Sequence, residues 1–183
     1  MDKEKLIKEA KSFMLDNVPK TRPKEAYFRH VLGARKYALR LAEIYNADKF
    51  ILEMAALLHD VGADAGTAHA HESARISREF FQGLEMPETT KKEIVKCIET
   101  HSMGSKAETI EQQILQDADG IIFMEDSYKS YFEGQKEKLP LEEARETSLE
   151  KARGMMNKIK TEEGIKLAKK FLNKASAYIK TAE

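Results

Sequence analysis

The stretch Ile51-Leu52-Glu53-Met54-Ala55-Ala56-Leu57-Leu58-His59-Asp60-Val61-Gly62 decides how the rest of the chain is read. At ~100° per residue, Ile51, Leu52, Ala55 and Ala56 share one arc of a helix, and His59 falls inside that arc in its last turn. Asp60 closes the helix. Residues 61–68 are rich in Gly, Ala and Asp without helical periodicity, so they read as a loop. An imidazole on an apolar face beside a carboxylate is either a core histidine bonded to backbone or part of a metal site.

The same two readings apply on either side. His30 lies in line with Ala34, Tyr37, Ala38 and Leu41, the apolar face of a helix expected over residues 24–45, where Pro23 takes an early position that needs no N–H. In a later helix expected over residues 107–125, Asp117 lines up with Ile110, Ile114 and Ile121, whereas Asp119 is on the opposite face, toward water. An ionised carboxylate in a core needs a cation, a paired side chain or several donors. An Arg or Lys partner would satisfy Asp117 taken alone. Taken jointly, His30, His59, Asp60 and Asp117 occupy faces or ends that can converge on one centre, and a metal ion explains the set.

Helical periodicity dominates elsewhere. Helices are expected over 2–17, 49–60 (capped by Asp48), 70–81, 88–100, 141–158 and 162–179, with an uncertain turn near Gly134 and Pro140. No alternating strand pattern and no repeat is visible. The expectation is an all-α single domain over 1–183, with core helices in about 22–125 and bracing helices in about 127–180.

The totals agree with a soluble globular protein: 183 residues, 42% apolar, 34% charged, and 31 basic against 31 acidic residues. That balance predicts neither a nucleic-acid nor an anionic-membrane partner. No run approaches a membrane span and no signal peptide is visible. The lone Cys97, between Val95 and Ile98, reads as a buried thiol, excludes an internal disulfide and fits a reducing, cytoplasmic setting.

His30, then His59-Asp60, then Asp117 resembles the ligand set of the HD superfamily of metal-dependent phosphohydrolases. The flanking residues carry the resemblance further. Ala55 to Gly62 is similar to the segment around the doublet. His71-Glu72-Ser73-Ala74-Arg75-Ile76 is similar to a helix start in an uncharacterised bacterial and archaeal branch. Ile114-Leu115-Gln116-Asp117-Ala118-Asp119 resembles the segment carrying the last aspartate, and Met155-Met156 through Thr161-Glu162-Glu163-Gly164 to Ala168 resembles that branch's tail.

The resemblance implies an HD-superfamily helical bundle holding one or two divalent transition metal ions (Mn, Fe, Co, Ni or Zn). His30, His59, Asp60 and Asp117 would hold the first, and Asp60, His71 and His101 the second. His69 is an alternative to His71, but His71 better matches the family pattern, and His69 reads as a solvent-exposed loop residue. The implied activity is hydrolysis of a small phosphomonoester or nucleotide by attack of metal-bound hydroxide, with Asp60 orienting or bridging it. Arg75 and Arg78, on the face of His71, and Lys106, near His101, are candidates for phosphate contacts. Asp64 could relay protons or simply cap its loop. Two other functions compete: a diiron oxygenase of the same superfamily, and a non-enzymatic metal-binding regulator or scaffold. The tail helices leave intrachain packing and homodimer formation both open.

Overall fold

A computed structural model describes residues 1–182. Nine α-helices form among them, and no strand. Local signals account for most helix ends. Asp2 accepts from the Lys5 N–H at 3.0 Å and starts α1 (Lys3–Asp16). Pro23 precedes α2 (Lys24–Tyr45), and Asn46 ends it with φ 53°, a left-handed conformation that Asn tolerates. Asp48 accepts from the N–H groups of Phe50 and Ile51 and starts α3 (Lys49–Leu58).

After α3 the chain does not loop freely. Residues Ala63–Ala68 form a 3₁₀ segment, broken by Gly66 at φ 59° and ψ −119°, which feeds α4 (His69–Phe81). Gly62 lies under α4 so closely that a Cβ there would be 2.5 Å from the Ser73 backbone nitrogen. The Gly62 N–H donates to Ser73 Oγ at 2.9 Å, tying the end of the His59-Asp60 segment to α4. Helix α5 (Glu88–Glu99) follows Pro87, and Thr109 caps α6 (Ile110–Ile122).

The expected helix over 107–125 instead divides. After α6 a π-turn, Phe123–Ser127, inserts an extra residue per turn, and α7 (Tyr128–Lys136) continues from it. The C-terminal pair is α8 (Leu141–Lys158) and α9 (Glu162–Thr181). An apolar core joins α1 to α6 and takes in Ile159, Leu167 and Ala168 from the tail. A second cluster (Phe123, Met124, Tyr128, Phe132, Ala152, Met155, Ile179) joins the π-turn to α7, α8 and α9. Met156 and Phe171 pack against both. Helix α6 runs between them, in contact with α2, α3, α5, α8 and α9. No helix of the described residues is long and apolar enough to cross a membrane.

Cys97 is 2% exposed, and burial, reinforced by Glu111 and Glu93, pushes its thiol up to about 12. At pH 8 the thiolate is then scarcer than in an ordinary cysteine by about 10³-fold. We expect a disulfide-exchange reagent such as DTNB to label Cys97 only as fast as the chain opens. Labelling of the native protein at the rate of a free thiol would contradict that burial.

Candidate metal centre

Three histidines are set by one local device. The Nδ1 atoms of His59, His69 and His101 contact the carbonyl oxygens of Ala56 (2.8 Å), Gly66 (2.9 Å) and Ile98 (2.6 Å), each three residues earlier. A carbonyl only accepts, so each Nδ1 carries a proton and Nε2 is the nitrogen left to face a metal. His59 and His101 end α3 and follow α5, and His69 begins α4, so three helix ends aim these Nε2 atoms into one interior space. His30 enters from the middle of α2, with Ser127 Oγ of the π-turn 3.0 Å from its Nδ1.

The Nε2 atoms meet in pairs. His30 and His59 are 3.1 Å apart, as are His69 and His101. Asp60 lies between the pairs and gives one oxygen to each. Its Oδ2 is 3.2 Å from His30 Nε2 and 3.8 Å from His59 Nε2, whereas Oδ1 is 3.9 Å from His69 and 3.8 Å from His101. Two sets of three ligand atoms result, His30-His59-Asp60 and Asp60-His69-His101, each compact enough to hold one ion. In the His69–His101 pair the two Nε2 atoms face each other 3.1 Å apart. That arrangement is stabilised by a cation between them, so the donor set fits a metal.

Electrostatics follow from the enclosure. Burial, and then the neighbouring His59, lowers His101 to about 3, and burial lowers His59 as well. Both stay neutral, the form a metal requires. Burial opposes the charge of Asp60, but the Arg22 guanidinium, with Nη1 2.5 Å from Oδ2, leads the groups that hold its carboxyl well below the usual range. Asp119 follows the same pattern. Burial opposes its charge, but Lys158 on its Oδ2 and His30 Nε2, 3.2 Å from Oδ1, hold it ionised. Between these carboxylates His30 is pushed up, because Asp119 and Asp60 outweigh its own desolvation.

Two positions assigned from sequence change. Asp117 is fully buried, as its helical face requires, but it does not face the centre. Its oxygens accept from the N–H groups of Lys160 and Thr161 (both 2.9 Å), from Gln113 Nε2 (2.7 Å) and from the Thr161 hydroxyl. Asp117 therefore ties α6 to the α8–α9 junction, and Asp119, expected in water, is 7% exposed and beside His30. The cause is that α6 is packed on all sides, so a helical wheel with one wet face does not describe it.

His71 likewise lies outside. Its side chain is 76% exposed and 3.6 Å from Glu99, and His69 occupies the place expected for it. Residues two apart on a helix point ~200° apart, so only one of the two can face in. The kink at Gly66 makes that one His69.

The remaining candidates also lie elsewhere. Arg75 is paired with Glu72 and Glu79, Arg78 with Glu99, and Lys106 is exposed. Asp64 is exposed and accepts from the N–H groups of Lys20 and Thr21 and from the Thr21 hydroxyl, fastening the segment that carries Arg22. It caps that segment. Sequence reasoning missed Arg22 and Lys158, whose partners are dozens of residues distant and leave no local pattern.

The HD domain family matches this chain over residues 27–124, which includes His30, His59, Asp60, His69, His101 and Asp119. The chain belongs to the HD domain family. This HD domain is of the metal-dependent phosphohydrolase type, and its two histidine–aspartate clusters could each hold a metal ion. No curated protein matches the sequence. Among solved structures the chain is similar to Bacillus subtilis YpgQ, with TM-score 0.74 and 18% identity over 98% of this chain and 95% of that one. An HD-superfamily hydrolase from Bacillus thuringiensis gives TM-score 0.74 and 21% identity over 97% and 95%. The Lin1889 protein of Listeria innocua gives 0.75 and 22% over 98% and 94%. At these identities the three share the fold, tail helices included.

Proposed function

We propose that this HD domain hydrolyses a small phosphoester, nucleotides included, at a centre built for two divalent ions. The sharing of Asp60 between two histidine pairs, one oxygen to each, carries the reading. His30, His59, Asp60 and Asp119 would hold the first ion, and Asp60, His69 and His101 the second. Imidazole nitrogens and carboxylate oxygens without a thiolate suit Mn²⁺, Fe²⁺, Co²⁺, Ni²⁺ or Zn²⁺. Such ions, when bound, lower the pKa of a water and offset charge developing on phosphoryl oxygens.

The chain's own groups do the rest. The three Nδ1–carbonyl bonds keep the Nε2 atoms aimed, so no ring must reorient as the site fills. Lys158 spans Asp119 and the His101 carbonyl, the latter at 3.0 Å, and so braces both halves of the centre with one buried ammonium. Arg22 is part-exposed above Asp60 and keeps donors free for a phosphoryl oxygen. Burial excludes bulk water from the histidine side, which strengthens each of these interactions. One similar structure, that of B. subtilis YpgQ, was solved in complex with ADP (TM-score 0.69, 18% identity), which supports including nucleoside phosphates among the substrates tried.

The deciding assay strips the protein with chelator, reloads it with each metal in turn, and follows phosphate release from nucleotides and phosphomonoesters together with oxygen uptake. Metal-dependent release of phosphate without oxygen uptake is expected. Oxygen uptake without phosphate release would replace this reading with the oxygenase one.

A further inference from the structure

We propose that Lys151 of α8 is the phosphate-anchoring cation of this centre; the inference rests on the phosphohydrolase reading above. Lys151 and Lys158 are seven residues apart and share a face of α8. Lys158 shows where that face points, because its ammonium reaches Asp119 and the His101 carbonyl. Lys151 follows the same face two turns away, ~10 Å along the axis. Its ammonium lies within electrostatic reach of Asp119, Lys158, Asp60 and Arg22, in keeping with its place on the Lys158 face of α8.

What singles out Lys151 is its lack of an anion. It is half-buried, and among the described residues no carboxylate is within 4.0 Å of its Nζ. The ring of Tyr131, 5.9 Å away, is its one recorded contact. The nearby acids are already engaged, Asp119 by Lys158 and His30, and Asp60 by Arg22 and the histidines. Lys158 and Arg22, among the charged groups acting on it, are themselves cations. A partly desolvated ammonium held near like charges without a counter-ion is costly to maintain. The anion that would balance it is one the folded chain does not supply, and a phosphoryl group at the metal centre has the charge and the position. A compact ammonium on a flexible stem can follow such a group without demanding one geometry. Lys151 lies beyond residues 27–124, so this contact would come from the tail helices and not from the matched core.

The test uses the full chain loaded with metal, comparing wild type with Lys151→Met, Lys151→Gln and Lys151→Arg. Inorganic phosphate is the probe, as a calorimetric ligand and as a competitive inhibitor. We expect Met and Gln to weaken phosphate binding by about tenfold, with most of the catalytic loss in KM, and Arg to restore much of it. Metal stoichiometry should equal that of wild type in all three, and the thermal midpoint should hold or rise in the Met variant. Unchanged phosphate affinity in metal-loaded Lys151→Met and Lys151→Gln, in a chain that still hydrolyses its substrate, overturns the role of Lys151 alone. A wild-type protein that neither binds nor releases phosphate overturns the phosphohydrolase reading and this inference with it.

Discussion

Asp60→Ala is expected to lose both ions and to slow phosphate release by about 10³-fold, on the order of 4 kcal/mol of barrier. Asp60 is the one side chain common to both ligand sets, and it gives one oxygen to each histidine pair. The loss therefore should not be partial. His69→Ala, by contrast, removes a ligand from the second set only, so elemental analysis should show about half the metal of the wild type. His71→Ala should retain the full complement, because its ring is on the outer surface near Glu99. The pair of variants makes the reassignment from His71 to His69 directly measurable. Loss of an ion from His71→Ala, with His69→Ala fully loaded, would reverse it.

The second large effect concerns two aspartates one residue apart. Asp117→Ala should destabilise the fold by about 3 kcal/mol and leave the metal content of the folded protein unchanged. The magnitude follows from what Asp117 accepts: two backbone N–H groups and a hydroxyl at the α8–α9 junction, and the Gln113 amide of α6. Without it those donors are stranded in a place with little room for water, since even a Cβ on Gly164 would approach Asp117 Oδ2 to 2.6 Å. Asp119→Asn should act on the metal. It keeps the size of the side chain and an oxygen for Lys158 but loses the charge that faces His30, so metal affinity falls, and because the buried Lys158 loses its counter-ion the denaturation midpoint falls as well. Urea unfolding and metal analysis on the same preparations separate the two roles. Metal lost from Asp117→Ala and kept in Asp119→Asn would restore the original assignment.

The misplacement of Asp117 and His71 has one physical origin. Helical periodicity reports which residues are buried, and it reported Asp117 correctly. It does not report what a buried face touches. In a helix packed on all sides, such as α6, the direction toward the centre is set by neighbours from α2 on one side and the α8–α9 junction on the other. For His69 and His71 the wheel offers two opposite faces, and a single backbone kink at Gly66 selects between them. Neither choice is encoded within the few residues around the histidines.

The chain's own order of residues thus determined a great deal. Apolar periodicity, Pro23, and the caps at Asp48, Thr109 and Thr161 suffice for the all-α course and most helix limits, because each acts within one or two helical turns. Face periodicity places His30 and His59 in the interior for the same reason, with Asp60 beside His59, whereas His101 rests mainly on the family resemblance. Only the tertiary structure decided which second histidine and which second aspartate join them, and that Arg22 and Lys158 border the centre. Those groups meet across separations of tens of residues, where packing of whole helices and the balance of buried charge, rather than local spacing, fix the geometry.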